Sequence, residues 1–409
     1  MRVLLAPFGT RGDVQPMLAL AHGLKAAGHD AVFCAPPNYG AWIEAHGFVF
    51  HGAGLDYGTV LRELTASKAR AFAVLAAEVP AQFAALAPLV DEADVVISAS
   101  LEYATSSLAE RAGKPRRLVV YSPSMLPSPS YPMTLVPVYG MPRWLNALTW
   151  SVGELALRMT TMRAVNHERK RLRMRPVGHA LSHQAGAGFL LPFDDALERA
   201  PADLPVPVLQ TGAWLLEEKD DLPADVEDFL AAGPPPVYLG FGSMLDADPA
   251  KTARVFAEAI RASGVRALVA GAPDDVVRAA GDVHFIGALP HRKLFPRCLG
   301  VVHHGGAGTF LATALSGVPQ VIVPHEVDQF FHGRLCHQRG LGPEAVKRTR
   351  LSSSSLTSAL RALAEGGYHD ACRRLAARMA RDGVERAVRA LEALQREEPS
   401  AERRDRMVS

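Results

Sequence analysis

The segment Val301-Val302-His303-His304-Gly305-Gly306-Ala307-Gly308-Thr309 runs from an apolar strand-like stretch through glycines straight into a helix-forming one. That order presents unpaired backbone N–H groups at a helix N-terminus, where the dipole favours an anion. Small side chains let a phosphate approach the backbone. Thr309 offers a hydroxyl, as N-cap or to a phosphate oxygen, and His304 adds another donor. The competing reading is a tight strand-to-helix turn that needs glycine for positive φ. The segment is not a Walker A loop, because no Lys-Ser/Thr follows. The GxGxxG dinucleotide fingerprint should follow the first strand, and Gly9-Thr10-Arg11-Gly12 does not fit it.

A second chemical group is Asp13, in the turn after the first apolar run, Arg2–Pro7. In a partly dry cleft a carboxylate can take a proton from an attacking hydroxyl. Its ordinary pKa, about 3.9, makes it a weak base that burial would strengthen. It could equally cap a helix starting near Pro16, and both roles can coexist. Arg11 could contact phosphate or face solvent. His22, His29, His179 and His183 have no metal-ligand spacing with acidic partners.

These groups need a scaffold of alternating strands and helices. Arg2–Pro7, a glycine turn, a helix over Met17–Ala27 closed by Gly28 and a strand over Asp30–Ala35 form a strand-helix-strand unit. All-apolar strands imply a parallel sheet buried on both faces. Strands at Ala93–Ser98 and Arg117–Tyr121 flank a helical stretch, Ala104–Ala112. A Pro-rich loop over 122–148 precedes a helix over Leu148–Arg173. Long loops inside compact domains are often functional.

A Pro-rich, acidic connection near residues 200–236 separates this from a second series. Strands are expected at Val237–Phe241, Ala267–Ala270, Val283–Phe285, Gly300–His303 and Gln320–Val323. Helices are expected at Ala250–Ser263, Lys293–Leu299, Thr309–Ser316 and from Ser353 to about Leu394. Two doubly wound α/β units in tandem place a ligand at the carboxyl ends of the strands, in the cleft between units.

Bulk properties bound the function. At 409 residues, 48% hydrophobic and 21% charged, the chain is long enough for two packed domains and is not disordered. A net charge of +2 argues against a dedicated nucleic-acid binder. Cys34, Cys298, Cys336 and Cys372 are scattered, as expected for reduced thiols in a cytoplasmic protein. The N-terminus lacks a signal-peptide core, and no apolar stretch is expected to span a bilayer.

His304-Gly305-Gly306-Ala307-Gly308-Thr309, followed by Gly317-Val318-Pro319 and Asp328-Gln329, resembles the donor-binding signature of the family-1 glycosyltransferases. Gly240-Phe241-Gly242-Ser243 resembles their first C-terminal phosphate loop. Leu289-Pro290-His291 resembles the segment beside the nucleobase. Gly9-Thr10-Arg11-Gly12-Asp13-Val14-Gln15-Pro16 and Leu209-Gln210-Thr211-Gly212-Ala213-Trp214 resemble the branch of glycopeptide-antibiotic and sterol glucosyltransferases. The resemblance covers nearly the whole chain.

The resemblance implies the two-Rossmann B-type fold. It divides the chain into an acceptor domain at 1–208, a connection at 209–236, a nucleotide-sugar domain at 237–384 and a helix with charged tail at 385–409. It implies that Asp13 is the base, and that His304, Gly306, Ala307, Gly308, Thr309 and Ser243 hold the diphosphate. Leu289 would border the nucleobase, and Asp328 and Gln329 would hold sugar hydroxyls, which both donate and accept. Many plant members carry an acidic residue on the donor helix and a Trp on the uracil. Phe310, Leu311 and Ala312 offer no acid here, and Ala288 stands at the Trp position.

The expected reaction is inverting, metal-independent transfer of a hexose from a nucleoside diphosphate sugar (UDP-glucose favoured, a dTDP-sugar second) to a lipophilic hydroxylated acceptor such as a sterol, macrolide or peptide. Trp144, Tyr121 and Phe72 are the expected acceptor-pocket residues, although apolar packing would use the same residue types. Three alternatives stand beside it: a sugar-nucleotide epimerase of the same fold, a non-catalytic relative, and a glycolipid transferase at a membrane surface. The run Arg163–Arg175 could supply basic contacts for the last.

Overall fold

A computed structural model describes residues 1–57, 68–186, 188–217, 220–242, 248–271 and 275–396. Two parallel sheets organise the chain. The first has seven strands in the order β3-β2-β1-β4-β5-β6-β7. These are β1 Arg2–Phe8, β2 Asp30–Ala35, β3 Val49–Gly52, β4 Val95–Ser100, β5 Arg116–Val119, β6 Phe189–Leu191 and β7 Val208–Gln210. The second has five, in the order β10-β9-β8-β11-β12. They are β8 Val237–Gly240, β9 Ala267–Ala270, β10 Val283–Ile286, β11 Gly300–His303 and β12 Gln320–Ile322.

Helices cover both faces of the first sheet, which is why β1 and β4 at its centre are almost wholly buried. On one face α1 (Arg11–Ala26) and α2 (Gly40–Ala45) pack through Val14, Met17, Leu18 and Ile43. On the other lie α3 (Lys68–Glu92), α4 (Thr105–Ala112) and, beyond α5 (Arg143–Met159), α6 (Thr161–Arg171). The short α7 (Ala180–Ala185) leads into β6, and α8 (Ala224–Ala231) into β8. The second sheet carries α9 (Pro249–Ser263), α10 (Asp275–Arg278), α11 (His291–Leu294), α12 (Ala307–Leu315), α13 (Gln329–Gln338), α14 (Ser353–Ala364) and α15 (His369–Ala376). The last helix, α16 (Gly383–Arg396), returns to the first unit, where Ala387, Val388 and Leu391 join the α1 core.

The structure revises several local expectations. Strands β3, β6 and β7 are only four, three and three residues long, too short to show a period. The single helix expected over Leu148–Arg173 starts at Arg143 and breaks at Thr160, whose φ of −116° and ψ of −98° are not helical. Helix α1 starts at Arg11, ahead of Pro16, because Thr10 and Asp13 form a capping box. By length and composition, Phe72–Glu92 of α3 could cross a membrane, contrary to the expectation that no segment would. In the fold one side of it packs into the core, burying Leu75, Val79, Phe83, Leu86 and Val90. All four cysteines are buried and free.

Candidate functional site

Both sheets reverse their strand order beside their first strand. The first sheet turns between β1 and β4, the second between β8 and β11, and such switch points open crevices at the carboxyl ends of strands. Asp13 follows β1 and Ser100 ends β4, and the register pairs Phe8 with Ser100. His304 follows β11, and the register pairs His303 with Gly240 at the end of β8.

Asp13 is partly exposed and densely hydrogen-bonded. Its Oδ2 accepts from the Thr10 backbone N–H at 2.6 Å and from Thr10 Oγ1 at 3.0 Å. Its Oδ1 accepts from the Ser100 hydroxyl. Ser100 holds a left-handed φ of 65°, a strained conformation that aims its hydroxyl. The Tyr121 hydroxyl, also among buried neighbours, donates to the Asp13 carbonyl at 2.8 Å. Desolvation raises the Asp13 pKa above its ordinary value. Hydrogen bonds from Ser100 and Thr10 oppose this, and the charge of Asp328 adds to it.

On the other wall, α12 begins at Ala307 with Gly306 as N-cap, and no side chain caps it. Thr309 is therefore the third helical residue rather than the N-cap. The early N–H groups of this nine-residue helix are left to a ligand or solvent. Gly305 has φ +95°, and a methyl there would lie 2.7 Å from Ile322 Cγ2, so the turn requires glycine. The His304 ring spans the crevice: it would meet a methyl at Gly242 at 3.3 Å and one at Gly306 at 2.5 Å. Burial and the neighbouring His325, His332 and His291 push its pKa down to about 4. It is thus neutral at pH 7, and its Nδ1 is buried without a partner.

Asp328 precedes α13 at the N-cap position, but its carboxylate makes no capping hydrogen bond. Burial raises its pKa, and His332, 4.0 Å away, opposes the rise. The preceding Val327 has φ 52°, strained for a β-branched residue. Gln329 is buried, and its Oε1 accepts the His325 N–H at 2.8 Å and the Glu326 N–H at 3.2 Å. Its side-chain carbonyl thus holds the turn that presents Asp328. His332 Nδ1 donates to the Gly305 carbonyl at 2.7 Å, tying α13 to the glycine turn.

Leu289 is partly buried beside β10, with Ala288 exposed before it. Ser243 lies outside the described residues. Among the acceptor candidates, Tyr121 supports the Asp13 backbone and Phe72 is partly exposed in α3. Trp144 is 70% exposed on α5. Instead Tyr131 and Tyr139, from the Pro-rich loop, pack on Phe331 of α13 at ring distances of 5.1 and 6.2 Å. The Asp328 charge is felt at Tyr139. Sequence reasoning missed Ser100, His332 and these tyrosines; the loop's placement was its only signal. Among the described residues, no group of three or more His, Cys, Asp or Glu could hold a metal ion.

Residues 3–115 match the glycosyltransferase family 28 N-terminal domain, and residues 253–394 the erythromycin biosynthesis protein CIII-like C-terminal domain. The vancomycin aglycone glucosyltransferase of Amycolatopsis orientalis is 32% identical, over 98% of this chain and 99% of its own. The dTDP-epi-vancosaminyltransferase of the same organism is 32% identical over 88% and 89%. A sterol 3-beta-glucosyltransferase of Arabidopsis thaliana is 29% identical over 88% of this chain and 62% of its own. The calicheamicin glycosyltransferase structure superposes with a TM-score of 0.73 at 16% identity, covering 98% of this chain and 99% of that one, which shows a shared fold.

Proposed function

The chain belongs to the nucleotide-sugar-dependent family-1 glycosyltransferases, in the branch of the glycopeptide-antibiotic and sterol enzymes, and from that premise we propose inverting transfer of a hexose to a hydroxyl of a lipophilic aglycone. The observation that carries the reading is the pair of switch points, in units joined where Ala307 of α12 packs against the α1 core. One presents a carboxylate with a raised pKa, the other an uncapped helix N-terminus beside an unpartnered buried imidazole nitrogen.

In this mechanism Asp13 accepts the proton of the acceptor hydroxyl as its oxygen attacks C1 of the sugar. The C1–O bond to the diphosphate breaks on the opposite face. The leaving charge is met by the N–H groups at Gly306–Thr309, by the Thr309 and Ser243 hydroxyls and by His304 Nδ1–H, without a metal. Asp328 holds sugar hydroxyls, its loop fixed by Gln329, and Leu289 borders the base. Closure of the cleft excludes water. The acceptor side is the first unit with its Tyr131–Tyr139 loop. Sterol, macrolide and peptide aglycones remain the candidate classes, with a relative named for vancomycin aglycone and another for sterol supporting two of them.

UDP-glucose is the favoured donor. The relative named for a dTDP-sugar motivates the second reading, since Ala288 offers no ring to favour uracil. Epimerisation finds no support among these relatives, all named as transferases. Calorimetric titration with UDP and with dTDP tests the donor site. One should bind, and His304→Ala should weaken it about 10–100-fold, the worth of a hydrogen bond to a charged group. Failure of both nucleotides to bind would remove the assignment.

A further inference from the structure

We propose that the outer face of α5, with the basic segment after it, docks on an anionic lipid bilayer. Trp144, Leu148, Val152, Leu155 and Met159 recur every three or four residues, and each is 50–70% exposed. That spacing draws them into one stripe, roughly 22 Å long at the helical rise. The other side of the helix is already packed. There Asn146 is buried and donates to the Pro129 carbonyl, Trp150 donates to the Tyr131 carbonyl, and Gly153 lies under Met133. The stripe is therefore a second apolar face. Single exposed apolar side chains are ordinary, but a contiguous row of five marks an interaction surface.

Charge selects the partner. Arg158 borders the stripe, and Arg163, Lys170, Arg173 and Arg175 follow, all exposed and without an ion-pair partner among the described residues. The nearby carboxylates are engaged: Glu154 accepts the Ala180 and Leu181 N–H groups, Glu168 is buried beside Arg171, and Glu110 is held by Arg169. An apolar ridge with unpaired cations suits a helix lying in the headgroup region of an anionic leaflet. A twofold contact with a second copy would instead bring two cationic faces together. The inner side of α5 holds the Tyr131–Tyr139 loop, whose rings pack on Phe331 of α13. If the acceptor is lipophilic, as in the proposed function, docking here would bring the cleft beside the membrane that holds it.

Cosedimentation of the full chain with phosphatidylcholine vesicles, with and without phosphatidylglycerol, tests the proposal. Binding should favour the anionic vesicles and weaken with salt. Leu148→Glu/Leu155→Glu should cut partition by at least about tenfold, and Arg158→Glu/Arg163→Glu by about fivefold per arginine removed. These exposed substitutions should leave nucleotide titration and thermal unfolding unchanged, so the outcome is separate from the donor-site reading. The proposal fails if the wild type does not partition onto anionic vesicles or if the leucine variant partitions equally. It also fails if sedimentation velocity finds a dimer that the leucine variant abolishes, because the face then belongs to a second copy.

Discussion

Burial raises the pKa values of Asp13 and Asp328, and the charge of Asp328 adds to the rise at Asp13, which sets the expected pH behaviour. Only ionised Asp13 can accept a proton, so kcat/KM should rise with pH through an acid limb above the ordinary carboxylate range. Asp328→Asn removes a charge that raises the Asp13 pKa, so that limb should move to lower pH; an unmoved limb would show that the two groups do not sense each other. Asp13→Asn should lower kcat by about 10²–10⁴ with nucleotide affinity unchanged. The stability sign follows from the raised pKa. A carboxyl whose folded pKa exceeds its unfolded value of 3.8 stabilises fully below that value and loses the contribution as pH rises through the folded pKa. Asp13→Asn should therefore flatten the fall in stability over that window, read by melting at several pH values. Asp13 was legible as a chemical group because its turn and its resemblance are local. Ser100 was not, because it reaches Asp13 from 87 residues away.

At the scale of elements, the β11–α12 junction joins fold and chemistry. Two of its glycines answer different demands. Gly305→Ala meets both a left-handed φ and Ile322, so it should cost about 1–3 kcal/mol of stability, read by denaturant unfolding. Gly306 has an ordinary φ of −60°, and the atoms nearest to a methyl there belong to the His304 ring. Gly306→Ala should displace that ring and weaken nucleotide binding by about tenfold, with the melting temperature nearly unchanged. Equal damage to binding and stability would mean that the ring position is part of the fold. The glycine run was readable because strand, turn and helix are adjacent in sequence. The same adjacency did not reveal that Gly306, rather than Thr309, would be the N-cap, since the cap depends on where the first helical bond forms.

At the scale of the molecule, a core cluster joins the two units. Phe193, after β6, stacks on Phe310 of α12 at 6.1 Å and on His332 of α13 at 5.7 Å, with Phe189, Leu191, Leu311, Leu335 and Leu375 around them. A buried apolar contact of this kind couples unfolding of the two units. Calorimetry should show one main transition for the wild type. Phe193→Ala should destabilise by about 3–5 kcal/mol and broaden or split that transition; an unshifted single peak would show that the stack carries no coupling. The return of α16 onto α1, with His29 Nε2 and Glu392 2.9 Å apart, adds a second tie.

The sequence by itself determined the alternation of strands and helices, the glycine turn, Asp13 as a candidate base and the family resemblance. Each of these resides in periodicity, turn chemistry or contiguous motifs, which act over a few residues. Only the tertiary structure decided that Ser100 reaches Asp13, that Gln329 holds its own turn, and that Trp144 is exposed while Tyr131 and Tyr139 approach α13. It also decided the three short strands that complete the first sheet. Those outcomes follow from strand register and from which faces find partners. Their energies come from many weak contacts between residues far apart in the chain, which no local pattern records.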